Sequence, residues 1–265
     1  MQFGFEQLDE LAFAVSFNGK FEWPATGFRA RNLGTIIELQ RLIHAGIPLP
    51  KLNEFVDTGR VRLARAIDCG ERHAIFENDK GCARLISCYW QKDEDPDDWH
   101  DFCTSMQKAA ILAGILRKNA QELVAATREL VSNIFDHSGA STSGIAGFSA
   151  IGNELEIVVA DSGIGVLQSL RTSLEFQSLR DSGEALQAAL TDGTSRFGRL
   201  SGHGSGFRDL FRGLLNLNSA LRFRSGDHAL SIDGISPGLA SARVSQKIQL
   251  PGFIVSITCN MRSLT

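Results

Sequence analysis

Glu129-Leu130-Val131-Ser132-Asn133-Ile134-Phe135-Asp136-His137-Ser138-Gly139 decides how the rest of this chain is read. Apolar side chains recur at Leu123, Leu130, Val131 and Ile134, with Thr127 in the same arc, which is the spacing of an amphipathic helix. At about 100° per residue, Glu129, Asn133, Asp136 and His137 fall together on a different face. That face gathers groups able to accept a proton, ligate a metal or hydrogen-bond a ligand. The plain alternative is a polar face ending in an Asp-His-Ser-Gly cap.

Two later stretches bear on that choice. In Ile157-Val158-Val159-Ala160-Asp161-Ser162-Gly163-Ile164-Gly165 an apolar run ends in an aspartate and two glycines. This predicts a buried strand that delivers a carboxylate beside backbone able to approach a ligand closely. In Gly202-His203-Gly204-Ser205-Gly206 a glycine-rich loop runs into an apolar, helix-like segment. Its free amides and the helix start suit a phosphate.

Taken in order, these three stretches resemble the N, G1 and G2 boxes of the GHKL superfamily, over residues 105–262. That superfamily holds gyrase-type ATPases, heat-shock chaperones, histidine kinases and the anti-sigma-factor kinases. The resemblance implies a Bergerat fold, an α/β (α+β) two-layer sandwich with a mixed, mostly antiparallel sheet and helices on one face. It implies ATP and Mg2+ as ligands. Asn133 would hold Mg2+ against the triphosphate. Asp161 would bind the adenine amino group, with Gly163 and Gly165 shaping the pocket. Gly202, Gly204 and Gly206, with His203 and Ser205 between them, would close on the phosphates, and Glu129 would be the general base. Asp136 and His137 are candidates for second-tier ligand contacts. Thr194, Ser195 and Arg196 precede the glycine loop as in the lids of anti-sigma kinases, and Arg196 and Arg199 are candidates for the γ-phosphate. The chain departs from the family at Gly252-Phe253, where many members have Gly-Thr.

Composition sets outer bounds. The 265 residues are 43% hydrophobic with a net charge of −3, enough for a packed core and without the basic field that attracts nucleic acid. No apolar run approaches the roughly 20 residues of a membrane span. Cys69, Cys82, Cys88, Cys103 and Cys259 are odd in number and include no Cys-x-x-Cys, which reads as reduced thiols in a cytoplasmic protein.

The regions expected are residues 1–92 as an N-terminal α/β unit that senses a ligand or binds a partner, an acidic linker at 93–104, and the ATP-binding domain at 105–265. Within the first, Asn18-Gly19 predicts a hairpin between Phe13–Phe17 and Phe21–Trp23. Asn32 predicts a capped helix from Leu33 to Ala45, and a second helix is expected over Leu52–Ile67 with Arg60, Arg62 and Arg65 on one face. Ala74–Glu77 and Ala83–Trp90 read as strands. Residues 106–135 read as two helices or one. Further hairpins are expected at Gly152-Asn153, Ser225-Gly226-Asp227 and Pro251-Gly252. His100 lies too close to the N box for a phosphoacceptor hairpin.

Two function classes fit. One is an ATPase whose nucleotide state switches a surface for a protein partner, with a homodimer among the arrangements left open. The other is a protein serine/threonine kinase of the anti-sigma type. A non-catalytic nucleotide-binding module is the third reading.

Overall fold

The computed structural model describes residues 2–18, 27–92, 94, 96–191, 219–233 and 242–261. Six antiparallel strands form its main sheet, in the order β3 (His73–Asn78), β4 (Gly81–Ser87), β5 (Ile145–Ile151), β6 (Glu154–Ala160), β8 (Arg243–Asn260) and β7 (Ala220–Ile232). Two-residue strands β1 (Gln2–Phe3) and β2 (Arg29–Ala30) pair in parallel beside it. The turns follow from local chemistry. Asn78 Oδ1 accepts from the Lys80 and Gly81 amides at 2.9 and 3.2 Å, closing the β3–β4 turn. Gly152 takes the left-handed φ of +58° that reverses β5 into β6.

Side-chain alternation along β6 sorts two cores. Leu155, Ile157 and Val159 face α4 (Asp97–Leu112), α5 (Arg117–His137) and α7 (Ser182–Thr191). Val158 and Ala160 face α1 (Phe5–Asn18), α2 (Leu33–His44) and α3 (Gly59–Asp68). The short α6 (Gly165–Arg171) packs its Leu170 beside α7. The fold is therefore mixed α/β with an antiparallel six-stranded sheet. Helices cover both of its faces, where a two-layer sandwich has them on one. The extra layer comes from residues before 93, and so do β3 and β4. The acidic stretch joins β4 to α4, which starts at Asp97, and Ile86 and Cys88 share a core with Trp99 and Phe102.

Three local expectations are corrected. Residues 13–17 are the end of α1 and not a strand, because Leu8, Leu11, Ala12 and Val15 form a buried helical stripe; Phe21–Trp23 lies outside the described residues. The helix expected from Leu52 is a 3₁₀ turn at Leu52–Glu54 followed by α3, whose cap Thr58 accepts from the Val61 amide. The hairpins expected at Ser225–Asp227 and Pro251-Gly252 are bends inside the long strands β7 and β8. Their register shifts at Gly226, and Gly226 and Gly252 hold φ of +59° and +74°. Ser225 Oγ donates to the Gly252 carbonyl at 2.7 Å, so the two bends are fastened together.

The arginines of α3 meet the chain's own carboxylates: Arg60 pairs with Glu156, and Arg62 and Arg65 with Asp57. Under α1 and α2, Glu38 accepts from Arg222 at 2.8 Å and from Arg224, and Asp9 and Lys247 extend the network. Burial pushes the Glu38 carboxyl up, but the charges of Arg222 and Arg224 outweigh it and take it down to about 2.

Candidate functional site

Helix α5 buries Leu123, Ala126, Thr127, Leu130, Val131 and Ile134 and leaves Glu129, Asn133, Asp136 and His137 partly exposed. The Thr127 hydroxyl donates to the Leu123 carbonyl at 2.8 Å, which lets a polar side chain sit on the buried stripe. Asp136 is paired with Lys92, which arrives from the segment after β4, and accepts weakly from Ser132 at 3.4 Å.

The end of α5 meets the end of β6. Gly139 takes a φ of +67° just past the helix, and the Ser138 carbonyl accepts from the Ile164 amide at 2.9 Å. A Cβ on Gly163 would lie 2.1 Å from that same carbonyl oxygen, so only glycine fits. Gly252 is pressed against Asp161 in the same way, a Cβ there falling 2.2 Å from the Asp161 carbonyl oxygen. Gly163 and Gly252 thus let three backbone segments converge on one carboxylate.

That carboxylate is unusual. Asp161 is 1% exposed. Its Oδ1 accepts from the Gly163 amide at 2.7 Å, and its buried Oδ2 has no hydrogen-bond partner among the described residues. Burial pushes the Asp161 carboxyl up to about 6; the Gly163 amide, the Arg41 charge and the Phe253 backbone pull the other way and lose. Arg41 reaches this loop from α2, on the far side of the sheet. It donates to Ser162 Oγ at 2.8 Å and to the Ser143 carbonyl at 2.6 Å, while Ser143 Oγ accepts from the Ser162 amide at 2.9 Å. Cys88 lies close enough to feel both charges, and burial drives its thiol up to about 12, so it is an inert neighbour.

The structure brings together the C-terminal end of the Glu129–His137 stretch and the Asp161–Gly165 loop. Thr194, Ser195, Arg196, Arg199, Gly202, His203, Gly204, Ser205 and Gly206 lie outside the described residues. At the departure Gly252-Phe253, Phe253 packs into the α4–α5 core, and the alternation of β8 turns Ser256 and Thr258 to the opposite face. Neither hydroxyl is placed to assist Asp161. Sequence reasoning missed Arg41, Lys92, Ser143 and Ser162. None carries a local signal, because each meets its partner only through the packed fold.

No protein-family model, no curated protein and no solved structure matches the chain. No described helix is long and apolar enough to cross a membrane.

Proposed function

We propose that this chain binds Mg-ATP in a GHKL-type site and hydrolyses it, using the nucleotide state to switch a surface for a protein partner. The observation that carries this reading is the Asp161 carboxylate. A buried oxygen without a partner costs about 1–3 kcal/mol. The cost is recovered when a ligand supplies an N–H, and an exocyclic amino group of adenine is such a donor. Gly163 fixes Oδ1, so Oδ2 is the atom left to read the base.

The rest of the reading rests on the resemblance and on α5. Asn133 and Glu129 are four residues apart, which sets them about 6 Å from each other on one helix face. Asn133 would give Mg2+ a neutral oxygen, and the metal would neutralise charge on the triphosphate. Glu129 would take the proton from a water. The water oxygen bonds to the γ-phosphorus as the bond to the bridging oxygen breaks, leaving ADP and phosphate. Lys92 would balance the Asp136 carboxylate so that the anionic ligand meets less repulsion.

The second reading, transfer to a Ser or Thr of a small partner, shares every residue and differs only in the acceptor. One assay separates them. The full chain and Glu129→Ala are given γ-labelled ATP with Mg2+, and free phosphate, labelled protein and bound nucleotide are followed together. Free phosphate that vanishes in the variant while ATP still binds is the expected result. Bound ATP without release points to the kinase or the binding module. No nucleotide binding by the unsubstituted chain overturns the proposal.

A further inference from the structure

The sheet presents an unusual surface on the α1–α3 side, at the end away from Asp161. A sheet face under helices is normally apolar, and further along this one is, with Val158, Ala160 and Ile254. At this end the three adjacent strands turn polar. Glu154 and Glu156 on β6 stand opposite Asn260 and Thr258 on β8, and Ser256 stands opposite Arg222 on β7. The starts of α1 and α2 cover part of this platform, Phe5 lying against Arg222 and the Leu33 amide donating to Glu156 Oε2 at 2.8 Å, while the Glu154 end stays partly open. A cavity of about 770 Å3 lies above it, walled by the start of α1 and by Arg31 and Asn32. Helix α2 begins hard against its edge, where a Cβ on Gly34 would lie 2.1 Å from Ser256 Oγ.

A second recess of about 370 Å3 adjoins the first through Arg31 and is lined by Arg29, Arg31 and Arg60. Arg29 on β2 and Arg31 just beyond it both line this recess. Their guanidiniums have no partner among the described residues, whereas Arg60 donates twice to Glu156, at 3.0 and 2.8 Å. Glu154 pairs loosely with Arg60 at 3.6 Å and touches Glu156, and Glu6, which lines the larger cavity with it, has no partner among the described residues. The unpaired Arg31 and Glu6 therefore line one cavity with the loosely paired Glu154.

We infer that this double recess is a ligand site for a small zwitterion, its phosphate or carboxylate held by Arg29 and Arg31 and its amine held by Glu154. The charges match end for end. Arg31 and Glu154 line the same cavity, so one short molecule can reach both. Fork-shaped guanidiniums suit either anionic group, and an ammonium can share its donors between Glu154 and the neighbouring Thr258 hydroxyl. The site is on the other sheet face from Asp161 and does not depend on the nucleotide reading.

The test uses the full chain and calorimetric titration. Phosphoethanolamine and 4-aminobutyrate are the phosphate-ended and carboxylate-ended probes; inorganic phosphate and ethylamine are the half-molecules. At least one zwitterion is expected to bind saturably and about tenfold more tightly than either half, a margin of about 1.4 kcal/mol. The tighter of the two identifies the anionic group. Arg29→Ala with Arg31→Ala, and separately Glu154→Gln, are expected to weaken that probe about tenfold with circular dichroism and melting unchanged. These side chains lie at the surface or rim, so the variants fold. Phosphate binding as tightly as the zwitterions, with no effect of Glu154→Gln, overturns the inference. So does the absence of saturable binding by every probe, or binding that survives loss of both arginines.

Discussion

Gly163 and Ser138 touch backbone to backbone: a side chain on Gly163 would begin 2.1 Å from the Ser138 carbonyl oxygen, which already accepts from Ile164. Gly163→Ala must therefore part the end of α5 from the end of β6. Overpacking of this kind costs about 1–3 kcal/mol. Gly152→Ala is the control, since that glycine has open space around it and loses only its left-handed backbone freedom, worth roughly 1–2 kcal/mol. Urea unfolding is expected to rank Gly163→Ala as at least as costly, and nucleotide titration to show lost affinity for that variant alone.

Asp161 makes the free protein sensitive to pH with a definite sign. Its folded pKa of about 6 lies above the ordinary value of 3.8, so between those values the folded state holds the proton more tightly. Stability then falls as pH rises from about 4 to 6 and stays reduced above. The full shift corresponds to about 3 kcal/mol as an upper bound. Asp161→Asn is expected to flatten this part of the profile, to leave the free protein no less stable at pH 7, and to weaken ATP more than inosine triphosphate, which lacks the amino group. A variant that is less stable at pH 7 and keeps the acid slope would show that the carboxylate is paired after all.

Glu38 behaves in the opposite sense. Its folded pKa of about 2 is below the ordinary 4.5, so its contribution is complete above pH 4.5 and disappears as pH falls toward 2. Glu38→Gln leaves the buried Arg222 and Arg224 to share Asp9 alone, and breaking a buried pair from one side costs up to about 3–5 kcal/mol. Thermal melting at pH 7 reads this directly. A loss smaller than that of an exposed pair such as Arg62–Asp57 would mean that water reaches the network.

Arg41→Met tests the loop from behind. It removes the donors to Ser162 and Ser143 and takes a positive charge away from Asp161. The Asp161 titration, followed by carboxyl carbon resonances, is expected to move to higher pH. An unchanged or lower midpoint would remove Arg41 from the electrostatics of this site.

What was legible in the sequence tracks how local each cause is. The Asn32 cap of α2 and the Gly152 turn are decided within four residues, and both are found where expected. Residues 13–17 alternate like a strand over too short a window; the stripe that makes them helical starts at Leu8. Glycine at 226 and 252 announces a positive φ but not whether the chain reverses or merely bends, because that depends on two long strands pairing with each other. At the candidate site, the order of the glutamate-to-histidine face and the aspartate-glycine loop can be read directly. The hidden oxygen of Asp161, and Arg41 arriving from 121 residues away in sequence to hold Ser162, exist only after packing.

The network around Glu38 also has a consequence in time. Its partners Arg222 and Arg224 follow it by 184 and 186 residues, and Asp9 precedes Arg222 by 213. While the chain is being synthesised, α1 and α2 emerge 184 or more residues before the guanidiniums that neutralise their buried carboxylates. Segments so far apart in sequence that complete each other give high contact order and slow closure. Helix α2 can lay its apolar stripe on β5 and β6 first, but Glu38 lacks its arginines until β7 arrives, so a ribosome stalled before residue 222 would carry an unfinished, aggregation-prone intermediate.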